Sequence, residues 1–417
     1  MSTPSRQSTV TLLVAMVSFA LWATSCSSTS QAPVVSDPED RLITGNDVQI
    51  SGSTRILDPT AREGLIGVSE DLSRLTFLKG SGVTFQPGDV LVSEPTRLAP
   101  YGLLRKVGSV RAVGRTLEVE TVEASLEDAV QNGDLLQTEE LDLQDIEEQS
   151  PDIDGVTTVI NPENRGLIGP QSTKTIGTLE LKMKEVVLCE GDGGKKITLN
   201  GSFKADFKVF ANAKIRWAKI KHFDAGIEMN EYAEIRLSGE CAKNLFNKEK
   251  ELKRIKLRTR TYWLGPVPVV VTPEMVITAG ASGQVSAKVD FQATHDFHAR
   301  YGVAWNRGEG WDWINERSQA FGYKSPQFSV SLNARAYVGA KAGLRFYGVG
   351  YVYVYPKVFA DFDAQVKFPQ GQYNWKLEAG FSVGLGAKAS VFGYTLGEIN
   401  KDLVEWKKVL AQDSGQL

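Results

Sequence analysis

Gly380-Phe381-Ser382-Val383-Gly384 matches the pattern of a serine nucleophile on a tight turn. That chemistry needs an acid and then a histidine downstream to take the hydroxyl proton. The chain has three histidines, and none follows His298. Gly, Phe and Val also alternate through the segment, so Ser382 reads as a strand residue. His295 and His298 are three positions apart. On a strand they face opposite sides and cannot share a metal ion. Asp361 and Asp363 share one strand face, but the glycine and late glutamate of a calcium loop are missing. The residues therefore yield no catalytic group and no metal site, and they call for no cofactor. Two acids converging in space could still build a cryptic polysaccharide hydrolase, and that reading stays open beside a non-enzymatic one.

Binding chemistry has better candidates. Tyr301, Trp305, Trp311 and Trp313 fall within 13 residues around Asn306-Arg307-Gly308-Glu309-Gly310, which reads as a hairpin tip. Indoles near such a tip suit a sugar ring or a lipid interface; the plain alternative is packing against the body below. Charge supplies a second candidate. Residues 27–172 hold 11 Lys and Arg against 25 Asp and Glu, and residues 173–417 hold 35 against 25. The total of −3 hides this asymmetry. Lys253, Arg254, Lys256 and Arg258 mark the richest basic stretch. They are placed to meet an anionic glycan or lipid from outside, to dock the acidic first half of the chain, or to form a solvated face. Nucleic acid does not suit an exported chain.

The elements that must position these groups are strands. Leu179, Leu181 and Met183 alternate with Glu180, Lys182 and Lys184. Val285, Ala287, Val289 and Phe291 repeat the pattern, and Ala360, Phe362 and Ala364 repeat it with parity reversed. Period 2 predicts half-buried antiparallel strands. The fold class expected is all-β: a small N-terminal β-barrel-like module over 41–140 and a large antiparallel β-sandwich over 173–417. A single wide barrel ranks second. An acidic linker, 141–172, separates the two. Ile399, Leu403, Trp406 and Leu410 share a helix face, which predicts a short C-terminal helix. Tyr347, Tyr351, Tyr353 and Tyr355 resemble a membrane-barrel girdle only loosely. Lys and Asp recur through those strands, which argues against insertion. A lipid carrier would need an apolar cavity instead.

The address is legible at the N-terminus. Val10 to Trp22 is a 13-residue apolar run, right for a signal peptide and too short to span a bilayer. Ala23-Thr24-Ser25-Cys26 resembles a bacterial lipoprotein signal, which implies cleavage after residue 25, lipidation of Cys26 and a membrane partner through that anchor. Residues 26–40 then form a tether. Ser27 favours the outer membrane or cell surface, with a secreted soluble form as the alternative. With Cys26 acylated, Cys189 and Cys241 remain as a pair fit for a disulfide in an oxidising compartment, with two buried thiols as the plain alternative. Phe85-Gln86-Pro87-Gly88-Asp89-Val90-Leu91-Val92, Pro100 to Val107 and Ala124 to Ala129 resemble a module of uncharacterised secreted or lipid-anchored bacterial envelope proteins. The resemblance covers residues 85–129 and carries no active-site residues. Together these features predict an envelope lipoprotein with a binding or structural role, of open oligomeric state.

Overall fold

The computed structural model describes residues 41–140, 145–161, 178–241, 243–285, 288–393, 396 and 398–416. Strands are numbered in chain order and fall into three sheets. A small sheet near the N-terminus holds β2 (Thr54–Ile56), β3 (Leu65–Val68), β4 (Arg74–Leu78), β5 (Val90–Ser93), β6 (Leu103–Val113) and β7 (Thr116–Glu123). Sheet I contains β1 (Gln49–Ile50), β8 (Val130–Glu140), β10 (Val156–Asn161) and β11 (Thr178–Glu190). It continues with β12 (Lys196–Arg216), β13 (Lys219–Gly239), β17 (Val289–Asn306) and β18 (Gly310–Phe328). Sheet II contains β9 (Ile146–Gln149), β14 (Lys243–Leu257), β15 (Arg260–Leu264) and β16 (Val267–Val285). It is completed by β19 (Leu332–Phe346), β20 (Gly350–Lys367), β21 (Gln372–Lys388) and β22 (Glu398–Gln416). Two short helices, α1 (Pro59–Gly64) and α2 (Leu126–Ala129), interrupt the N-terminal part.

The all-β sandwich follows from the alternation. Leu179, Leu181, Phe203, Phe207, Phe291 and Phe362 all point into the core, as the period predicts. Rings from the two large sheets meet there: Phe291 lies 5.6 Å from Phe362, and Phe297 lies 5.7 Å from Phe381. Neither large sheet closes into a barrel. The strands are long. β12 and β13 have 21 residues each, and strands of that length reach about 70 Å. Such a hairpin must bend. Gly201 takes φ +141°, and a Cβ there would stand 1.8 Å from the Glu234 carbonyl oxygen. Cys189 and Cys241 form a disulfide with 6.0 Å between their Cα atoms. It ties the end of β11 to the chain just after β13. Closing that loop contributes about 4 kcal/mol.

Three expectations change. The N-terminal module is not a barrel: its sheet runs β2-β5-β6-β7-β4-β3, and the two end strands do not pair. Helix α1 joins them, started by Asp58 accepting from the Ala61 N–H with Pro59 in the first turn. Ala61 enters the module's own core beside Leu75, Phe77 and Leu103. The C-terminal helix is instead strand β22, paired with β21 from Glu398 to Gln416. Its pairing slips at Leu377/Glu378 and at Val383/Gly384. Leu410 and Leu403 are the extra residues of these two bulges. A bulge flips the parity of a strand. The slips therefore allow Ile399, Trp406 and Leu410, at helix-like spacing, to pack on one core. The acidic stretch after residue 140 contains β9 and β10, which join sheets II and I.

Candidate functional site

A groove of about 760 Å³ opens on the outer face of sheet II. β14, β16, β19, β20 and β22 supply its walls. Outward-facing tyrosines lie flat because glycines sit under them on neighbouring strands. A Cβ on Gly280 would stand 2.4 Å from the Tyr337 ring, and one on Gly386 would stand 2.3 Å from the Tyr353 ring. Tyr347 differs: it is buried, and its hydroxyl donates to the Pro268 carbonyl.

Almost every charge at the groove is matched. Glu249 Oε2 accepts from the Tyr337 hydroxyl at 2.9 Å and from Lys357 Nζ at 3.1 Å. Burial alone would raise the Glu249 carboxyl, but these bonds outweigh it and hold it below its ordinary value. The Tyr337 phenol is pushed up by burial and by that carboxylate. Arg254 binds Glu251 with contacts of 3.0 and 2.6 Å. Arg345 binds Glu274 with contacts of 3.1 and 3.2 Å. Lys341 is the exception. Its ammonium sits 3.7 Å over the Tyr353 ring, a cation–π geometry. Burial and the nearby Arg254 and Arg345 lower its pKa, with Glu274 opposing. Among the described residues it forms no ion pair.

The basic stretch of β14 is neutralised from within. Strand β9 of the acidic segment pairs with it through Ile255↔Gln149, Lys256↔Glu148 and Leu257↔Ile146. Lys253, buried, meets Asp152 at 2.8 Å; Lys256 meets Glu147 at 3.1 Å; Arg258 meets Asp145 at 3.6 Å. Arg254 takes Glu251 on its own strand. Opposite charges on adjacent strands attract, so the four cations proposed for an external anion already face carboxylates of their own chain.

The tryptophan hairpin has the expected tip, with Asn306 paired to Gly310, but its indoles do not project from it. Trp305 is buried. Trp311 donates from Nε1 to the Leu396 carbonyl at 3.2 Å and packs edge-on against Phe223. Trp313 packs against the core under Lys401. These three rings thus make the packing on the body that was the plain alternative, with Trp311 and Trp313 still half-buried. Among the described residues the exposed indoles are Trp217 and Trp263, neither of them marked by the sequence as a binding group.

The weaker candidates resolve similarly. Ser382 lies mid-strand in β21, paired with Lys357 and Glu405. Asp361 is held by Arg335 at 2.6 Å and Lys407 at 2.8 Å. His298 is exposed while His295 is buried, on opposite faces of β17. Around His295 lies a sealed polar cluster. Its Nδ1 is 3.9 Å from Glu231 Oε1, and its ring packs against Phe297 and Phe321 with centroids 5.0 and 4.5 Å away. Both ring nitrogens, Glu231 Oε1 and Gln319 Oε1 find no hydrogen-bond partner among the described residues. Cys26 lies outside the described residues. In comparisons with protein-family models, curated proteins and solved structures, no match to this chain was found.

Proposed function

We propose that the chain is an exported, lipid-anchored envelope protein whose outer groove binds an acidic saccharide. Lys341 carries this reading: it is the groove's unmatched cation, held over a tyrosine ring among hydroxyl and amide groups. A uronate carboxylate would supply the missing charge, and the C–H face of a sugar packs well on an aromatic ring. The Cys189–Cys241 disulfide supports an oxidising compartment. A hydrolase would need a carboxylic acid with its pKa raised to donate a proton. Glu249 shifts the other way, and Glu251 and Glu274 are committed to arginines. A lipid carrier would need free space between the sheets, where Phe203, Phe291, Phe297, Phe362 and Phe381 stand fully buried.

Isothermal titration of the lipid-free full chain with a galacturonic-acid hexamer, against a neutral galactose hexamer, tests the reading. The uronate should bind, and Lys341→Met and Tyr353→Ala should each weaken it at least tenfold. Equal affinity for both oligomers, or no loss in either variant, would sink the proposal.

A further inference from the structure

Two indoles stand in water where no core explains them. Trp217 is 73% exposed and Trp263 is 52% exposed. Trp217 and Ala218 form the two-residue loop of the β12–β13 hairpin, closed by the Arg216↔Lys219 pair. Their φ angles are +56° and +53°. Such loops ordinarily take Asn-Gly, because a Cβ at positive φ crowds the backbone. A bulky indole there is an outlier, and strain of this kind persists where its surroundings over-determine it, often at functional positions. Those surroundings are present. The Trp217 N–H donates to Asn132 Oδ1 at 3.0 Å, and the Ala218 N–H donates to the Gln131 carbonyl at 2.9 Å. Arg216 next door is locked onto Asp134, with both side chains 4% exposed.

The second tip packs on the same place. After Trp263, Leu264 Cδ1 lies 3.0 Å from where a Cβ on Gly133 would stand, and Gly265 abuts Val48. Both loops thus flank residues 131–134 of β8. The described body also begins there. The Ile43 N–H donates to Asp134 Oδ2 at 2.6 Å, and the Asp134 N–H donates to the Ile43 carbonyl at 2.7 Å. Fifteen residues separate Cys26 from Leu42, a length of chain that reaches at most about 50 Å.

We propose that this end of the sandwich is a membrane-facing rim, with Trp217 and Trp263 entering the headgroup region of a lipid bilayer. The proposal rests on the reading of Cys26 as the anchor, which would hold the rim within reach of the surface. Indoles favour that interface because their apolar body and N–H suit its two sides. Lys219 beside the tip is exposed. The tether before it carries Asp37, Glu39 and Asp40, so it is no polybasic segment. The indoles supply the attraction, and binding should depend weakly on salt.

The lipid-free full chain, with Cys26 replaced by serine, is to be sedimented with vesicles of phosphatidylethanolamine and phosphatidylglycerol. It should cosediment at 50 and at 500 mM salt. Trp217→Asn combined with Trp263→Ser should lower vesicle binding at least tenfold. Trp217→Asn alone should raise the unfolding midpoint, because asparagine tolerates positive φ, so lost binding cannot be laid to misfolding. No cosedimentation of the parent chain, or undiminished binding by the double variant, overturns the rim. Mass analysis of native protein tests the anchor separately. An unmodified Cys26 in a protein that still binds vesicles through the two indoles removes the anchor and keeps the rim.

Discussion

The outer groove of sheet II and the sealed cluster of sheet I are built from the same kinds of residue. Each has glutamate, tyrosine and a nitrogen base on adjacent strands. In the groove, Glu249 collects hydrogen bonds from Tyr337 and Lys357 and stays ionised. In the cluster, Glu231 and His295 face each other at 3.9 Å, too far to bond, and the Phe297 and Phe321 rings pack against the imidazole. Tyr301 beside them is pushed up to about 12, chiefly by burial. The contrast is one of access to partners. On the outer face long cations reach across strands to the acids, and water serves the rest. Between the sheets, neighbours are phenylalanines, and a polar atom without a partner costs about 1–3 kcal/mol.

The sharpest way to break this comparison is to make the cluster apolar. Replacing Glu231 by Met and His295 by Phe together should raise stability by about 1–4 kcal/mol, because it removes buried polar atoms that have no partner among the described residues. Urea unfolding of the full chain would show it. A loss of stability would mean that buried water or rearrangement satisfies the cluster, and the contrast with the groove would collapse.

A smaller effect is expected where a buried cation does have its partner. Lys253, with a side chain 5% exposed, meets Asp152 at 2.8 Å. Asp152→Asn should cost about 1–3 kcal/mol by leaving the ammonium poorly matched. Burial would raise the Asp152 carboxyl, yet hydrogen bonds from Lys253 and Thr158 bring it down to about 2. Its folded pKa is below the unfolded value of about 3.9. Its contribution is therefore complete above that value and lost as pH falls toward 2. The gap between wild type and variant should close below about pH 4. A gap that is constant from pH 2 to 5 would show that Asp152 acts through packing.

How much of this was legible depends on whether a local pattern survived tertiary bending. Alternation at Leu179–Met183 and at Ala360–Ala364 placed those residues in the core because no bulge interrupts those segments. In β22 two register slips produced a helical spacing from a strand. Proline lacks the N–H of a strand ladder, yet Pro268 and Pro273 both belong to β16. Pro273 falls where the partner of β16 on one side changes from β15, whose pairing ends at Val271, to β14, whose pairing begins at Glu274. The missing N–H is tolerated at that seam. The groove was harder. Tyr351, Tyr353 and Tyr355 drew notice only as a loose girdle. The glycines beneath Tyr337 and Tyr353 lie on other strands, and only pairing brings them together. Trp217-Ala218 carries none of the turn residues that mark a two-residue hairpin, so its tip was invisible to composition.

The smallest expected effect concerns His222, on the hairpin that ends at Trp217, and it sharpens the comparison because this histidine has what His295 lacks. Its Nε2 is 2.7 Å from Asp224 Oδ1 and its Nδ1 is 2.7 Å from Asn306 Oδ1. With oxygen on both sides, the imidazolium donates twice. The Asp224 bond raises its pKa most, burial lowers it, Asn306 raises it, and Lys214 opposes. The folded value therefore lies above the unfolded value of about 6.5. Protonated His222 adds stability that is complete below about pH 6.5 and fades as pH rises through the folded pKa. The ring is partly exposed, so solvent screening keeps the effect modest. The midpoint difference between wild type and His222→Gln should be largest near pH 6 and shrink by pH 8.5. A His222 difference that held steady or grew with pH would mean that the neutral ring makes the contact, and the two histidines would no longer be distinguished by their partners.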